Sequence, residues 1–180
     1  MIACDHYNLI RTSLVLTLFF AAWSGGAAYG ETAMLECVAD TSIPSTDGHA
    51  VELRLPQVIL MNFRFAAVRD WAVTKATLLL HVAGGDPLRN VDIATILVAW
   101  NEKPAGSVDI RKLQFLSHKV ESKPDGWISI AVEPPLVELL TAGKGTGLAI
   151  RDRSTSRQHT IHSRESVQFM PYLIVEGRPR

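Results

Sequence analysis

His162, Arg164 and Glu165 lie within one short stretch of the chain, and a base, a guanidinium and a carboxylate held together are the ingredients of acid-base chemistry on a glycan. Side chains alternate along a strand, so His162 and Arg164 share one face while Glu165 turns to the other. The three form no compact acid-base pair by themselves, and a small glycan-active enzyme resting on His162 or Glu165 is the minority reading. Tying a sheet end to a neighbouring loop is the simpler role for Arg164 and Glu165. A wider feature contains them: Arg151, Arg153, Arg157, His159, His162 and Arg164 crowd one late segment, relieved only by Asp152. Guanidinium forks match carboxylate and sulfate groups in bidentate fashion, which suits an acidic glycan. A solvated loop and strand edge would carry the same composition.

Other chemistries lack their signatures. There is no Gly-x-Ser-x-Gly elbow, no His-Glu-x-x-His zinc helix and no glycine loop to cradle a phosphate. The carboxylates are scattered, so the sequence pairs no two of them across a sugar bond. Acidic and basic residues balance at 18 each and 47% of the chain is hydrophobic, which excludes a disordered tail and gives no basic surplus for nucleic acid. Trp71, in a polar connection between two strands, is the candidate surface aromatic for stacking on a sugar, whereas Trp100 and Trp127 read as packing residues.

The elements that must position these residues are strands. Ala76, Leu78, Leu80 and Val82 alternate with Thr77, Leu79 and His81, giving a core strand with a mixed outer face. Phe63 and Phe65 alternate around Arg64, which places Arg64 on an outward face where it would extend the basic segment. Further strands are expected at Cys37 to Ile43, Val51 to Leu55, Val91 to Ala94, Ile96 to Trp100, within Val108 to Val120, and at Trp127 to Val132 after the Pro124-Asp125-Gly126 turn. The series continues with Gly147 to Ile150, His159 to Ser163 and Tyr172 to Glu176. Leu136, Val137, Leu139 and Leu140, after Pro134 and Pro135 and before Gly143, predict one short helix. Many short strands, turn-punctuated and without helix-strand alternation, predict an all-β jelly-roll β-sandwich of two antiparallel sheets.

Residues 1–30 read as a secretion signal: Arg11 precedes the apolar run Leu14 to Trp23, and Ala28-Tyr29-Gly30 places small residues where a signal peptidase reads, with cleavage before Glu31. That run is too short to span ~30 Å of hydrocarbon, so no membrane span is expected after cleavage. Residues 31–180 then form a single secreted domain. Cys4 leaves with the leader and Cys37 remains alone, so stability comes from packing rather than from a disulfide.

Five blocks in order give the mature chain a family resemblance: Cys37-Val-Ala-Asp40-Thr41; Phe63-Arg64-Phe65 with Val73-Thr-Lys-Ala-Thr-Leu-Leu-Leu; Trp100-Asn101-Glu102-Lys103-Pro104; Gly126-Trp127 through Gly147-Leu148-Ala149-Ile150; and Ser163-Arg164-Glu165-Ser166 with Pro171-Tyr172-Leu-Ile-Val. It resembles the secreted DNRLRE-type β-sandwich domains, grouped with the family 96 carbohydrate-binding modules. It departs from them at Ala66 and Ala131, where the family often has aspartate, and in the loop after Asp40. The resemblance implies a non-catalytic domain binding polysaccharide, with an acidic algal glycan as the founding ligand; taken with the basic segment, it makes Arg64, Arg151, Arg153, Arg157 and Arg164 the expected contacts. Related jelly rolls carry a structural calcium near the first strand, which would fall at Asp40; no other cofactor is implied. A structural or adhesion module binding protein partners in a matrix or envelope stays open beside this reading, because the fold hosts both.

Overall fold

The computed structural model describes residues 30–43, 52–55, 58–85, 88–100, 102, 108–152 and 159–180. The expected leader, apart from Gly30, therefore lies outside the described residues, as do Arg153 and Arg157. The strands are β1 (Glu31–Ile43), β2 (Glu52–Leu55), β3 (Val58–Phe63), β4 (Trp71–Gly85), β5 (Asn90–Ile96), β6 (Leu116–Ser122), β7 (Trp127–Val132), β8 (Gly147–Arg151), β9 (His159–His162) and β10 (Tyr172–Pro179), with one helix, α1 (Pro134–Thr141).

The strands follow the order β10-β1-β3-β8-β5-β6-β7-β4, and β4 pairs back to β10, so eight antiparallel strands close into a barrel. From β4 the ladder continues outward through β9 and ends at β2. The described residues are thus all-β with one short α-helix. The cycle is not split into the two separate sheets of the expected jelly roll, because β1 and β6 each change partner along their length. β1 pairs with β10 through Glu36 and with β3 from Cys37, with an irregularity between Cys37 and Ala39. β6 pairs with β5 as far as Lys119 and with β7 from Val120. A bulged strand bends and twists, which lets one strand serve both halves of a barrel.

The alternation read from the sequence fills the interior. Leu35, Cys37, Ile59, Met61, Phe63, Leu78, Leu80, Ile93, Ile130, Leu148, Ile150 and Val175 join one buried cluster. On β3, β5 and β8 the other face is buried as well: Val58, Leu60, Ala94, Ile96 and Ala149 form a second cluster beneath Val108, Ile110, Leu113 and Phe115. The arm running from 108 to 115 is thus a lid over the outer face of that half. Helix α1 begins with two prolines, whose missing N–H groups cost nothing in a first turn, and sends Val137 and Leu140 into the core. It sits where β4 begins and β5 ends: the Asp70 N–H donates to the Thr141 carbonyl at 3.1 Å and the Thr146 N–H to the Ile96 carbonyl at 2.7 Å.

Three local expectations change. Phe65 opens a 3₁₀ turn, Phe65–Val68, rather than extending a strand, and packs edge-on to Phe63 at 6.3 Å between centroids. The expected strand from Ile96 to Trp100 stops at Ile96, leaving Leu97 and Val98 60% and 50% exposed. Trp71, expected at the surface, belongs to the core at 7% exposure, because its polar neighbours form the turn and it opens β4.

Gly147 is the closest approach between strands: a Cβ there would lie 2.2 Å from the Met61 carbonyl oxygen. Gly147→Ala must part β8 from β3 and should lower stability by about 2 kcal/mol or more, or at least ~5 °C in a domain of this size, in a thermal melt. An unshifted melt would show that the two strands are spaced more loosely.

Candidate functional site

Of the arginines singled out in the sequence, Arg64 and Arg151 are not brought to one surface. β3 runs from Val58 to Phe63, with Ile59 opposite Ile150, so Arg151 lies level with its start and Arg64 just past its end. At ~3.3 Å per residue, most of the strand's length separates them. Arg151 donates from Nε to Asp92 Oδ2 at 3.1 Å, and its guanidinium sits 3.9 Å over the Phe115 ring. It holds the lid arm to the barrel. His159 Nε2 lies 3.0 Å from Asp152 Oδ2, with both side chains buried. Arg64 is exposed. Of the described members of the basic segment, Arg151 and His159 are thus met by carboxylates within the protein.

Arg164 is the centre of an ion network. Its Nε and Nη2 donate to Glu102 Oε1 and Oε2 at 2.9 and 3.0 Å, and Nη2 also reaches Glu165 Oε1 at 3.0 Å. Its backbone N–H donates to Asp40 Oδ2 at 2.7 Å, while the Asp40 N–H donates to Glu102 Oε1 at 3.0 Å. Three segments distant in sequence are thereby tied at the bend of β1. Asp40 stands opposite Met61, on the inward face of the barrel, and burial pushes its carboxyl from 3.8 up to about 6, opposed by the Arg164 N–H and guanidinium. Burial and the Asp40 carboxylate likewise push the Cys37 thiol well up, so it stays a protonated, inert thiol. A calcium ion fits poorly here: the guanidinium already lies between Glu102 and Glu165, and the Asp40 carboxylate is turned to an N–H. Among the described residues no three His, Cys, Asp or Glu side chains converge as metal ligands do.

Glu165 is paired with Arg164. His162 instead faces His81 across strands, Nδ1 to Nδ1 at 3.0 Å, while His81 Nε2 lies 2.8 Å from the Asp125 carbonyl. A carbonyl only accepts, so His81 donates to it from Nε2; in the neutral ring its Nδ1 is then the acceptor for the His162 Nδ1–H. Phe169 stacks on His81 at 4.0 Å and 27°, and lies 5.0 Å from His162; Trp127 meets His81 edge-on at 5.3 Å. Tyr172 lies 6.3 Å from Trp127.

Register explains the gathering. Glu52 is opposite His162 and His81 is opposite Trp127, so Glu52, His162, His81 and Trp127 form one row across β2, β9, β4 and β7. Neighbouring strands stand ~4.8 Å apart, so the row is a line of side chains rather than a pocket. The next row holds Tyr172, Leu79 and Ser129, and the one after it Met34, Ile174, Thr77 and Ala131. The sequence placed His81 on an outer face with Thr77 and Leu79, but nothing local told which strands would lie beside it. Phe169 and Tyr172 were not singled out at all.

The Asp40 carboxyl gives a test of the network. A folded-state value raised from 3.8 to about 6 means that the folded protein holds its proton more tightly, so stability is fullest below 3.8 and falls as pH rises from about 4 to 6, by about 3 kcal/mol. Asp40→Asn keeps an acceptor for the Arg164 N–H and removes that slope. Denaturant melts should show the variant gaining on the natural protein by about that amount across this window; a constant difference would show that the carboxylate is not desolvated.

Neither a protein-family model nor a curated protein matches the chain.

Proposed function

We propose that the protein is a secreted, non-catalytic carbohydrate-binding module, a flattened jelly roll of DNRLRE type, whose polysaccharide lies along the ring row on the β9-β4-β7 face. The observation that carries this reading is the alignment of Trp127, His81, His162, Phe169 and Tyr172 as half-buried rings on one face of the sheet. Half-buried rings offer one apolar face beside polar edges, the surface that a pyranose ring with its C–H and hydroxyl faces complements. The ordered blocks named above support the family, and Arg11, the apolar run Leu14 to Trp23 and Ala28-Tyr29-Gly30 support the leader. Arg151 and Arg164 have internal partners, which moves the contact surface from the arginines to the rings. A structural or adhesion module is the second reading, favoured by Met34 at 60% and Val167 at 72% exposure.

The test is affinity electrophoresis of the chain from Glu31 through gels containing alginate, a sulfated glycan, cellulose derivatives or xylan. Retardation in at least one gel is expected, with Trp127→Ala or Tyr172→Ala weakening it about tenfold each. Arg151→Ser should leave retention unchanged while lowering the melting temperature. No retardation in any gel would turn the assignment to the adhesion reading.

A further inference from the structure

The second site lies away from the rings, between the lid arm, the end of β5 and the outer side of α1. A cavity of about 460 Å³ is lined there by Thr95, Leu97, Val98, Val108, Leu113, Leu136 and Leu139, with Asp109, Lys112 and Gln114 at its rim. That volume falls in the range of small-molecule sites, which are mostly apolar with a few polar groups at one side. Leu97 at 60%, Val98 at 50% and Leu139 at 36% exposure are apolar surface left open to water at its walls.

The chemistry of the lining selects the ligand. Among the described residues the walls are aliphatic, without an aromatic ring to stack on a sugar or a base. The Thr95 hydroxyl already donates to the Leu136 carbonyl at 3.2 Å, so the floor leaves that donor no polar work. The polar end carries two cations to one carboxylate: Asp109 is met by Arg111 at 3.0 Å and by Lys112, 84% exposed, at 4.0 Å, so the local balance there is positive. An apolar slot with one ammonium at its mouth fits a straight alkyl chain ending in a carboxylate. From this we infer that the cavity binds an alkyl carboxylate, with its chain along Leu97, Leu113, Leu136 and Leu139 and its head at Lys112.

The inference is independent of the ring row, and its test separates the two. Decanoate, octanoate and decanol are titrated into the chain from Glu31, followed by displacement of a dansyl-labelled undecanoate. Saturable one-to-one displacement is expected, with decanoate binding roughly tenfold tighter than octanoate, since each buried methylene adds about 0.8 kcal/mol. Leu139→Trp, a change at a partly exposed helix position, should fill the slot and weaken decanoate at least tenfold. Lys112→Glu should weaken decanoate but not decanol, and Trp127→Ala should change neither. Absence of saturable binding, binding insensitive to Leu139→Trp, or protection of the slot by dimerisation in sedimentation runs would each overturn the inference.

Discussion

A carboxylate facing the interior of a barrel has to be met by something, and at Asp40 the partner is the backbone of a distant loop. The Arg164 N–H comes to Asp40 Oδ2, the guanidinium of the same residue gathers Glu102 and Glu165, and the Cys37 N–H donates to the Pro171 carbonyl at 3.2 Å. Burying a charge is costly unless it is bonded. The loop between β9 and β10 is therefore held at both of its ends against the bend of β1. Its turns, Ser166 N–H to the Ser163 carbonyl and Phe169 N–H to the Ser166 carbonyl, then deliver Phe169 onto His81 and His162. The ring surface rests on an ion network that it does not touch.

The two halves of the barrel solve their outer faces differently. The half built on β3, β8 and β5 buries its outer side chains beneath the arm from 108 to 115, pinned by Arg151 to Asp92 and Phe115. The half built on β10, β4 and β7 presents Met34, Ile174, Tyr172, Leu79 and Trp127 at intermediate or open exposure. Apolar surface left open on one side of an otherwise neutral protein marks where a ligand or partner gains most by covering it. His118 shows how the seam between halves is held: its Nδ1–H donates to the Leu116 carbonyl at 2.8 Å and its Nε2 meets the Glu133 carboxylate just before α1.

Much of the fold was legible from periodicity. The β4, β7, β8 and β10 strands and the proline-led helix fall where alternation, turns and glycine put them, because each signal is local. The failures are also physical. Phe65 and Ile96 to Trp100 look extended by composition, yet a chain that must turn a barrel corner leaves the ladder there. Trp71 sits among polar residues in sequence but opens a strand whose first side chain points inward. The arginine segment is a different case: the partners of Arg151 and Arg164 are Asp92 and Glu102, on other elements, and no local pattern pairs them. The ring row was the reverse case, since His81, Trp127 and His162 are scattered in sequence and only cross-strand register assembles them.

Closure of the cycle has a consequence for how copies of the chain can meet. The ladder runs round eight strands, and among the described residues its terminal strand is β2, a four-residue strand whose Leu53 and Leu55 are buried and whose Glu52 is exposed. A short terminal strand bearing a charge is a poor template for capture by a neighbouring molecule. A copy of the chain that meets this end therefore finds little ladder to extend, and the open apolar face lies elsewhere, on β10, β4 and β7.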